Sequence, residues 1–469
     1  MNKILKICNS VLKLLPYGLM NGVKRVICFT MYHISKDAKK KQLWLGRMEK
    51  FAFRSGKNVA RLHRNIENVL TNVRQRVAKK HKATVWLVCY EVSQWTFQSI
   101  YDAMIRRPEF DVFVFLSRPW ERDWDKEAVN HMAEFFESRG MKTVRDYNHL
   151  NKPDIIIFSI FEANKLSIDP VAVSKDAVCC YVPYFWSIVA NSSEYFFKND
   201  RLGYFTRAYM NDEIDVRTAM SGRCTYRKGV VCSGRPKNDE CALRLAHRES
   251  IKCDVWKTKG LKRIIYAPHW SIGVCSNLGT FDIYCWKMLE YVRSHQDIEI
   301  CLKPHPYLRA RLQNPQGIAN TLEVGSYYND PAITGEEYEA FLREWEALPN
   351  ASIMDSGGYA DLFATSDAMI LDSISFVAEY MVYDRPSCFV CKDSADKMIP
   401  RWNATGLDLM KANTLAYKWE DIESFLADVC NGIDRHAKER NEMIHKYLHC
   451  NWGHVGDFIS DDLWQLMKG

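Results

Sequence analysis

Short, nearly unbroken apolar runs recur along this chain, separated by stretches with helical spacing. Residues 84–90, Thr-Val-Trp-Leu-Val-Cys-Tyr, form the first run and are rich in β-branched and aromatic types. Residues 111–116, 154–158 and 178–182 repeat the pattern, while 95–104 and 125–139 read as helices, the second stopped by Gly140. The pattern restarts with a strand at 263–267, a helix at 281–294 and a strand at 298–303 halted by Pro304-His305-Pro306. Strands at 368–371 and 386–391 flank a helix at 376–381. Strands that are apolar throughout and alternate with helices imply parallel sheets covered on both faces. Two such series in 469 residues predict an α/β protein of two doubly wound, Rossmann-like domains.

The predicted layout is an N-terminal helical extension over 1–82, α/β domains over 83–255 and 256–435, and a helical brace over 436–469. Polar and basic residues over 237–262 read as the linker between domains. The stretch 313–350 reads either as an insertion facing a second substrate or as a surface excursion.

Charge changes the picture at the N-terminus. Residues 1–82 hold 20 Lys/Arg against 3 Asp/Glu, so a chain of net +7 carries −10 over the remainder. Ile4, Leu5, Ile7, Val11, Leu12, Leu14 and Leu15 alternate there with Lys3, Lys6 and Lys13, and residues 26–29 add a second apolar run. Neither run reaches the ~18–20 residues that cross a bilayer, and no small-residue cleavage site follows. The segment predicts a basic amphipathic surface for anionic lipid headgroups, with packing against the body as the alternative. No nucleic-acid module accompanies it, so no nucleic-acid partner is predicted. The sixteen cysteines are scattered, several inside apolar runs, and fit a reduced compartment. Cys388 and Cys391 have CxxC spacing but sit in a predicted strand.

Candidate chemistry gathers at strand ends. Lys303-Pro304-His305-Pro306 presents an imidazole on a stiff turn, where His305 can donate to a departing phosphate and Lys303 can neutralise charge. Pro268-His269-Trp270-Ser271 ends another strand in the same way. At the 372–376 junction, Ser373 and Ser375 can bind phosphate oxygens. Asp372 suits a ribose hydroxyl, a loop amide or a helix cap, and Glu379 a ribose hydroxyl or the core edge. Gly234-Arg235-Pro236-Lys237-Asn238-Asp239 is a basic turn able to touch a nucleotide or make a bend. Two histidines without HExxH or cysteine-cluster spacing define no metal site. P-loop and GxGxxG sequences are absent.

In order, these blocks resemble the CDP-glycerol glycerophosphotransferase family of teichoic-acid primases and polymerases. The resemblance rests on Ile264-Ile265-Tyr266-Ala267-Pro268-His269, on the 234–239 turn, on His305-Pro306, on Thr365-Ser366-Asp367 through Ser375, and on Arg385-Pro386. It covers mainly 230–392 and implies a glycosyltransferase-B architecture, with 83–255 as the acceptor side and 256–435 as the nucleotide-donor side. It also implies transfer of glycerol phosphate, or a related polyol phosphate, from a CDP-activated donor to a lipid-linked or surface-glycan hydroxyl at the cytoplasmic face of a bacterial membrane, releasing CMP. His305 and His269 are then catalytic, and Lys303, Asp372, Ser373, Ser375, Glu379, Gly234 and Arg235 line the nucleotide-activated donor. No cofactor beyond that donor is implied, and a metal requirement is left open. The family's Trp-His-Gly-Thr block has no counterpart: its place holds Tyr181-Val182-Pro183-Tyr184-Phe185-Trp186-Ser187, and Ile374 stands where a serine is usual. A nucleotide-sugar glycosyltransferase and a noncatalytic glycan-assembly scaffold are the alternative readings.

Overall fold

The computed structural model describes Met31 and residues 56–117, 125–147, 152–161, 166–274, 276–316, 329–355 and 358–469. Seven strands form the first sheet: β1 (Ala83–Cys89), β2 (Phe110–Leu116), β3 (Thr143–Val144), β4 (Ile155–Phe158), β5 (Val178–Tyr181), β6 (Arg207–Met210) and β7 (Val230–Cys232). Their order is β3-β2-β1-β4-β5-β6-β7, and every neighbouring pair is parallel. Six strands form the second: β8 (Lys262–Ala267), β9 (Ile298–Leu302), β10 (Ala351–Ile353), β11 (Ala368–Leu371), β12 (Ser387–Val390) and β13 (Thr414–Ala416). Their order is β10-β9-β8-β11-β12-β13, again all parallel. The predicted α/β class with two doubly wound sheets is therefore the observed one.

The apolar runs become strands because both of their faces are covered. Every residue of β4, β5, β9, β11 and β12 is buried, as two-sided helix packing requires. In each sheet the chain steps outward in one direction and then returns to the other side of its first strand. The reversal falls between β1 and β4 in the first sheet and between β8 and β11 in the second. Crevices at the carboxyl ends of such strands are where ligands bind in this architecture.

Helix α1 (Gly56–Lys80) packs its apolar stripe, Ile66, Val69, Leu70, Val73 and Val77, into the core of the first lobe. Arg76 and Lys80 reach buried Asp154 at 3.1 and 3.3 Å. This part of the basic extension thus takes its packed form, and its apolar face is not open to a bilayer. The apolar runs at 4–15 and 26–29 lie outside the described residues. Among the described residues no helix is long and apolar enough to cross a membrane.

Two sequence expectations are corrected. Much of the stretch read as a linker is helix α3 (Lys237–Ala246), following α2 (Gln98–Ile105) of the first lobe. Asn238 of α3 is buried and donates to the Leu448 carbonyl at 2.9 Å, while Cys241 and Leu245 pack on the second-lobe core. The 313–350 stretch contributes core too. Beyond α4 (Phe281–Ser294), helix α5 (Gly335–Glu346) starts at a Thr334–Glu337 capping box and buries Tyr338, Phe341, Leu342 and Trp345. Helix α6 (Ile374–Met381) follows β11. The end of the chain crosses between lobes: Ile444, Tyr447 and Leu448 belong to the second core, whereas Val455, Ile459 and Leu463 of α7 (Val455–Lys468) belong to the first.

Candidate active site

Three adjacent strand ends build the site. β9 and β11 flank β8, so Pro268-His269, Lys303-Pro304-His305 and Asp372-Ser373 emerge side by side at the reversal point. The ladder continues beyond the strands: Lys303 N–H donates to Tyr266 O at 2.8 Å and His305 N–H to Pro268 O at 3.0 Å. These bonds hold the two Pro-His turns in register, with ring centroids 5.0 Å apart and planes inclined at 72°.

Both imidazoles are fixed in one tautomer by the same local device. The Tyr307 amide donates to His305 Nδ1 at 3.1 Å, and the Ser271 amide donates to His269 Nδ1 at 3.3 Å. Ser271 Oγ lies 2.7 Å from that same nitrogen and accepts from the Leu278 amide at 3.1 Å, so its hydroxyl proton turns toward the ring. With Nδ1 an acceptor in each ring, the proton of the neutral imidazole sits on Nε2. Burial, and then the Lys303 charge, push the His305 pKa down to about 4. Burial and the neighbouring His305 push His269 well below the ordinary value. Near neutrality the pair therefore presents two N–H donors and no imidazolium charge. Lys303 is buried beside them, its ammonium weakened by that burial.

Asp372 ties the junction together. It accepts from the His269 amide at 2.5 Å, the Thr280 amide at 2.6 Å and the Thr280 hydroxyl at 2.8 Å. Of its three sequence-based roles, the structure shows the loop amide. Burial pushes its carboxyl up to about 7 despite those hydrogen bonds. Ser373 occupies the cap position of α6 without a side-chain cap bond. Ser375 lies in the first turn of α6 and faces an open cavity of about 530 Å³, lined by His269, Ile374 and Ser375 from the second lobe and by Tyr184, Phe185, Trp186, Val189 and Phe196 from the first. The cavity spans the gap between the lobes.

The remaining sequence candidates form a joint at one side of this gap. Arg235 Nη2 reaches Glu379 Oε1 at 2.6 Å with both side chains buried, and it also donates to Tyr184 O at 2.8 Å. Tyr359 donates its hydroxyl to Glu379 and accepts from Lys237 Nζ at 3.0 Å. Burial opposes the Glu379 charge, but Arg235, Lys237 and Tyr359 hold its carboxyl below the ordinary value. Gly234 has φ +78° and a Cβ there would stand 2.2 Å from Cys450 O, so only glycine fits the turn. Asp239 caps α7 through the Val455 and Gly456 amides at 2.9 and 2.8 Å. The structure thus turns Gly234, Arg235 and Glu379 toward the protein itself, not toward the cavity.

Sequence reasoning missed Thr280, which anchors Asp372, and Trp270 and Tyr307, whose rings lie 6.1 and 5.7 Å from His305. The position of Tyr307 two residues after His305 was the available signal. Among the described residues no group of three or more His, Cys, Asp or Glu is placed to hold a metal ion. Cys388 and Cys391 are both buried, in β12 and just past its end, and burial raises their thiols.

No protein-family model matches the sequence, and no curated protein matches it. Solved structures do. A variant of the wall teichoic acid polymerase TagF, with one histidine replaced by asparagine, aligns over 88% of this chain and 98% of its own, at TM-score 0.57 and 14% identity. TagF without that substitution aligns over 88% and 99%, at 0.55 and 13%. The UDP-GlcNAc 2-epimerase from Neisseria meningitidis, bound to UDP-GlcNAc, aligns over 82% and 100%, at 0.51 and 8%. At such identities the likeness establishes the fold: two Rossmann-like domains in the glycosyltransferase-B arrangement.

Proposed function

We propose that this chain is a nucleotide-dependent transferase that moves glycerol phosphate, or a related polyol phosphate, from a CDP-activated donor to a hydroxyl of a lipid-linked or surface-glycan acceptor, releasing CMP. The observation that carries this reading is the pair of Pro-His turns, each presenting an Nε2–H donor beside Lys303 at the reversal point of the second sheet. Hydrogen-bond donors and a buried ammonium at a sheet's carboxyl edge suit the negative charge of a diphosphate.

In this mechanism the donor's diphosphate lies against His269, His305, Lys303 and the Ser375 hydroxyl. His305 is neutral in the free protein because the site is buried and already holds a cation. It therefore meets the donor as a hydrogen-bond donor. The arriving anionic diphosphate supplies the opposite charge and raises the imidazole pKa. As the bond between the phosphates breaks, the electron pair leaves with CMP, and Nε2–H and Lys303 stabilise the charge that develops on its oxygen. Asp372 positions His269 through its amide and does not touch phosphate, which its own charge would repel. For the basic N-terminal segment we propose peripheral contact with an anionic membrane surface, which would bring a lipid-linked acceptor to the cleft.

The test is a donor screen with CDP-glycerol, CDP-ribitol and common nucleotide sugars, each supplied with a lipid-linked saccharide. CDP-alcohols are consumed with release of CMP under this proposal. Movement of sugar alone, with CDP-alcohols neither bound nor consumed, replaces it by a glycosyltransferase reading. His305→Ala lowers turnover at least about tenfold, and near-wild-type turnover removes His305 from the reaction.

A further inference from the structure

The proposed transfer needs a group that takes the acceptor's hydroxyl proton, and neither imidazole is arranged to do so. Each holds Nδ1 in a hydrogen bond and carries its proton on Nε2, so neither offers a lone pair to the cleft. Both oxygens of Asp372 are engaged by the His269 and Thr280 groups. Glu379 is closed off by Arg235 and Tyr359. An in-line displacement also places the attacking oxygen opposite the leaving one. If the second lobe holds the leaving CMP, the base belongs on the first lobe.

The first sheet has its own reversal point between β1 and β4, and Glu91 stands two residues past the end of β1. Its backbone is extended, with φ −158° and ψ 133°, just before a short 3-10 turn that starts at Val92. The Ser93 hydroxyl donates to Glu91 Oε1 at 2.7 Å and fixes the carboxylate. Oε2 accepts no hydrogen bond among the described residues. Across the gap, Tyr307 of the second lobe stacks near His305, with centroids 5.7 Å apart. Burial, and then the charge of Glu91, raise the Tyr307 phenol, so Glu91 stands within electrostatic reach of the ring that flanks His305. The carboxyl end of β1 thus faces the carboxyl end of β9.

From this placement we propose that Glu91 is the general base that activates the acceptor hydroxyl, facing the two imidazoles across the cleft. The assignment rests on the transfer reaction proposed above. Glu91 Oε2 takes the hydroxyl proton, the acceptor oxygen bonds to the phosphorus that carries the polyol, and the bond from that phosphorus to the CMP oxygen breaks with its electron pair on CMP. The role is available because the groups that couple to Glu91, the Cys89 thiol and the Tyr307 phenol, are both raised and uncharged near neutrality. Among the described residues no cation pairs with Glu91 to occupy its second oxygen.

The experiment compares wild type, Glu91→Gln and Glu91→Asp as full chains, with CDP-glycerol as donor and a lipid-linked saccharide ending in glycerol phosphate as acceptor. CMP release gives kcat and KM, and calorimetry with CDP gives nucleotide binding. Glu91→Gln is expected to bind CDP within about twofold of wild type, to keep the donor KM, and to lose about a hundredfold in kcat. Its kcat/KM profile loses the acidic limb that wild type shows, and Glu91→Asp recovers part of the rate. A Gln variant within about threefold of wild type, an unchanged acidic limb, or lost CDP binding each overturns the assignment. If wild type releases no CMP from CDP-glycerol, the proposed reaction fails and Glu91 falls with it. If wild type and the Gln variant are equally active, only Glu91 falls.

Discussion

At the scale of single residues, the site is governed by how burial sets protonation. Asp372 is the clearest case, because its carboxyl is pushed up to about 7 by burial while three donors from His269 and Thr280 work against that shift. An ordinary aspartate titrates near 3.9. Between about pH 4 and about pH 7 the native state therefore holds a proton that the unfolded chain has released. Stability contributed through that proton is complete at the acid end and is lost as pH rises through about 7. Relative to Asp372→Asn, which cannot titrate there, wild type should lose on the order of 4 kcal/mol from pH 4 to pH 8. Urea unfolding of both proteins at several pH values checks this, and parallel curves would refute it. The histidine-bearing turns were readable from the sequence because proline on either side of His305 announces a rigid strand end. Thr280 and Glu91 were not, because each earns its place only through contacts across another strand or another lobe.

At the scale of elements, strands were easier to read than helices, for a physical reason. A parallel strand buried on both faces must be apolar at nearly every position, so 298–303 and 368–371 stood out as the strands Ile298–Leu302 and Ala368–Leu371. Short strands such as Thr143–Val144 and Val230–Cys232 are too brief to form a run and exist through their neighbours' register. Helix α3 failed the same reading because its buried side includes Asn238 while Leu243 is 56% exposed, which inverts the usual polarity. Gly456 shows what sequence hides about packing. It lies in the first turn of α7, and a Cβ there would stand 2.3 Å from the Ser99 carbonyl oxygen at helix α2. Gly456→Ala must push α7 off the first lobe or bend it, costing about 1–3 kcal/mol. A lower urea midpoint with unchanged slope checks this, whereas unchanged stability would show that the two helices part without strain.

At the scale of the whole molecule, the lobes are joined through buried charge, and the wiring predicts an asymmetry. Arg235 and Lys237 enter from the end of the first lobe, and Glu379 is the carboxylate that receives both, directly from Arg235 and through the Tyr359 hydroxyl from Lys237. Burial weakens the Lys237 ammonium, while both cations together hold Glu379 ionised. Removing one partner of a buried pair costs about 3–5 kcal/mol, because the other charge stays desolvated and unpaired. Here the two removals differ. Arg235→Met leaves Glu379 facing Lys237, so its charge is still partly compensated. Glu379→Leu strands two cations beside one another, and their repulsion adds to the desolvation of each. Glu379→Leu should therefore be the more destabilising single change, and Arg235→Met combined with Glu379→Leu should recover part of the loss, since only Lys237 is then left without a carboxylate. A double-mutant cycle in urea measures the coupling directly. Because the pair spans the lobes, small-angle scattering of Glu379→Leu should also show a larger radius of gyration than that of Arg235→Met. The reverse order, with Arg235→Met the worse, would mean that Lys237 does not share Glu379 and that the joint is a simple two-residue bridge.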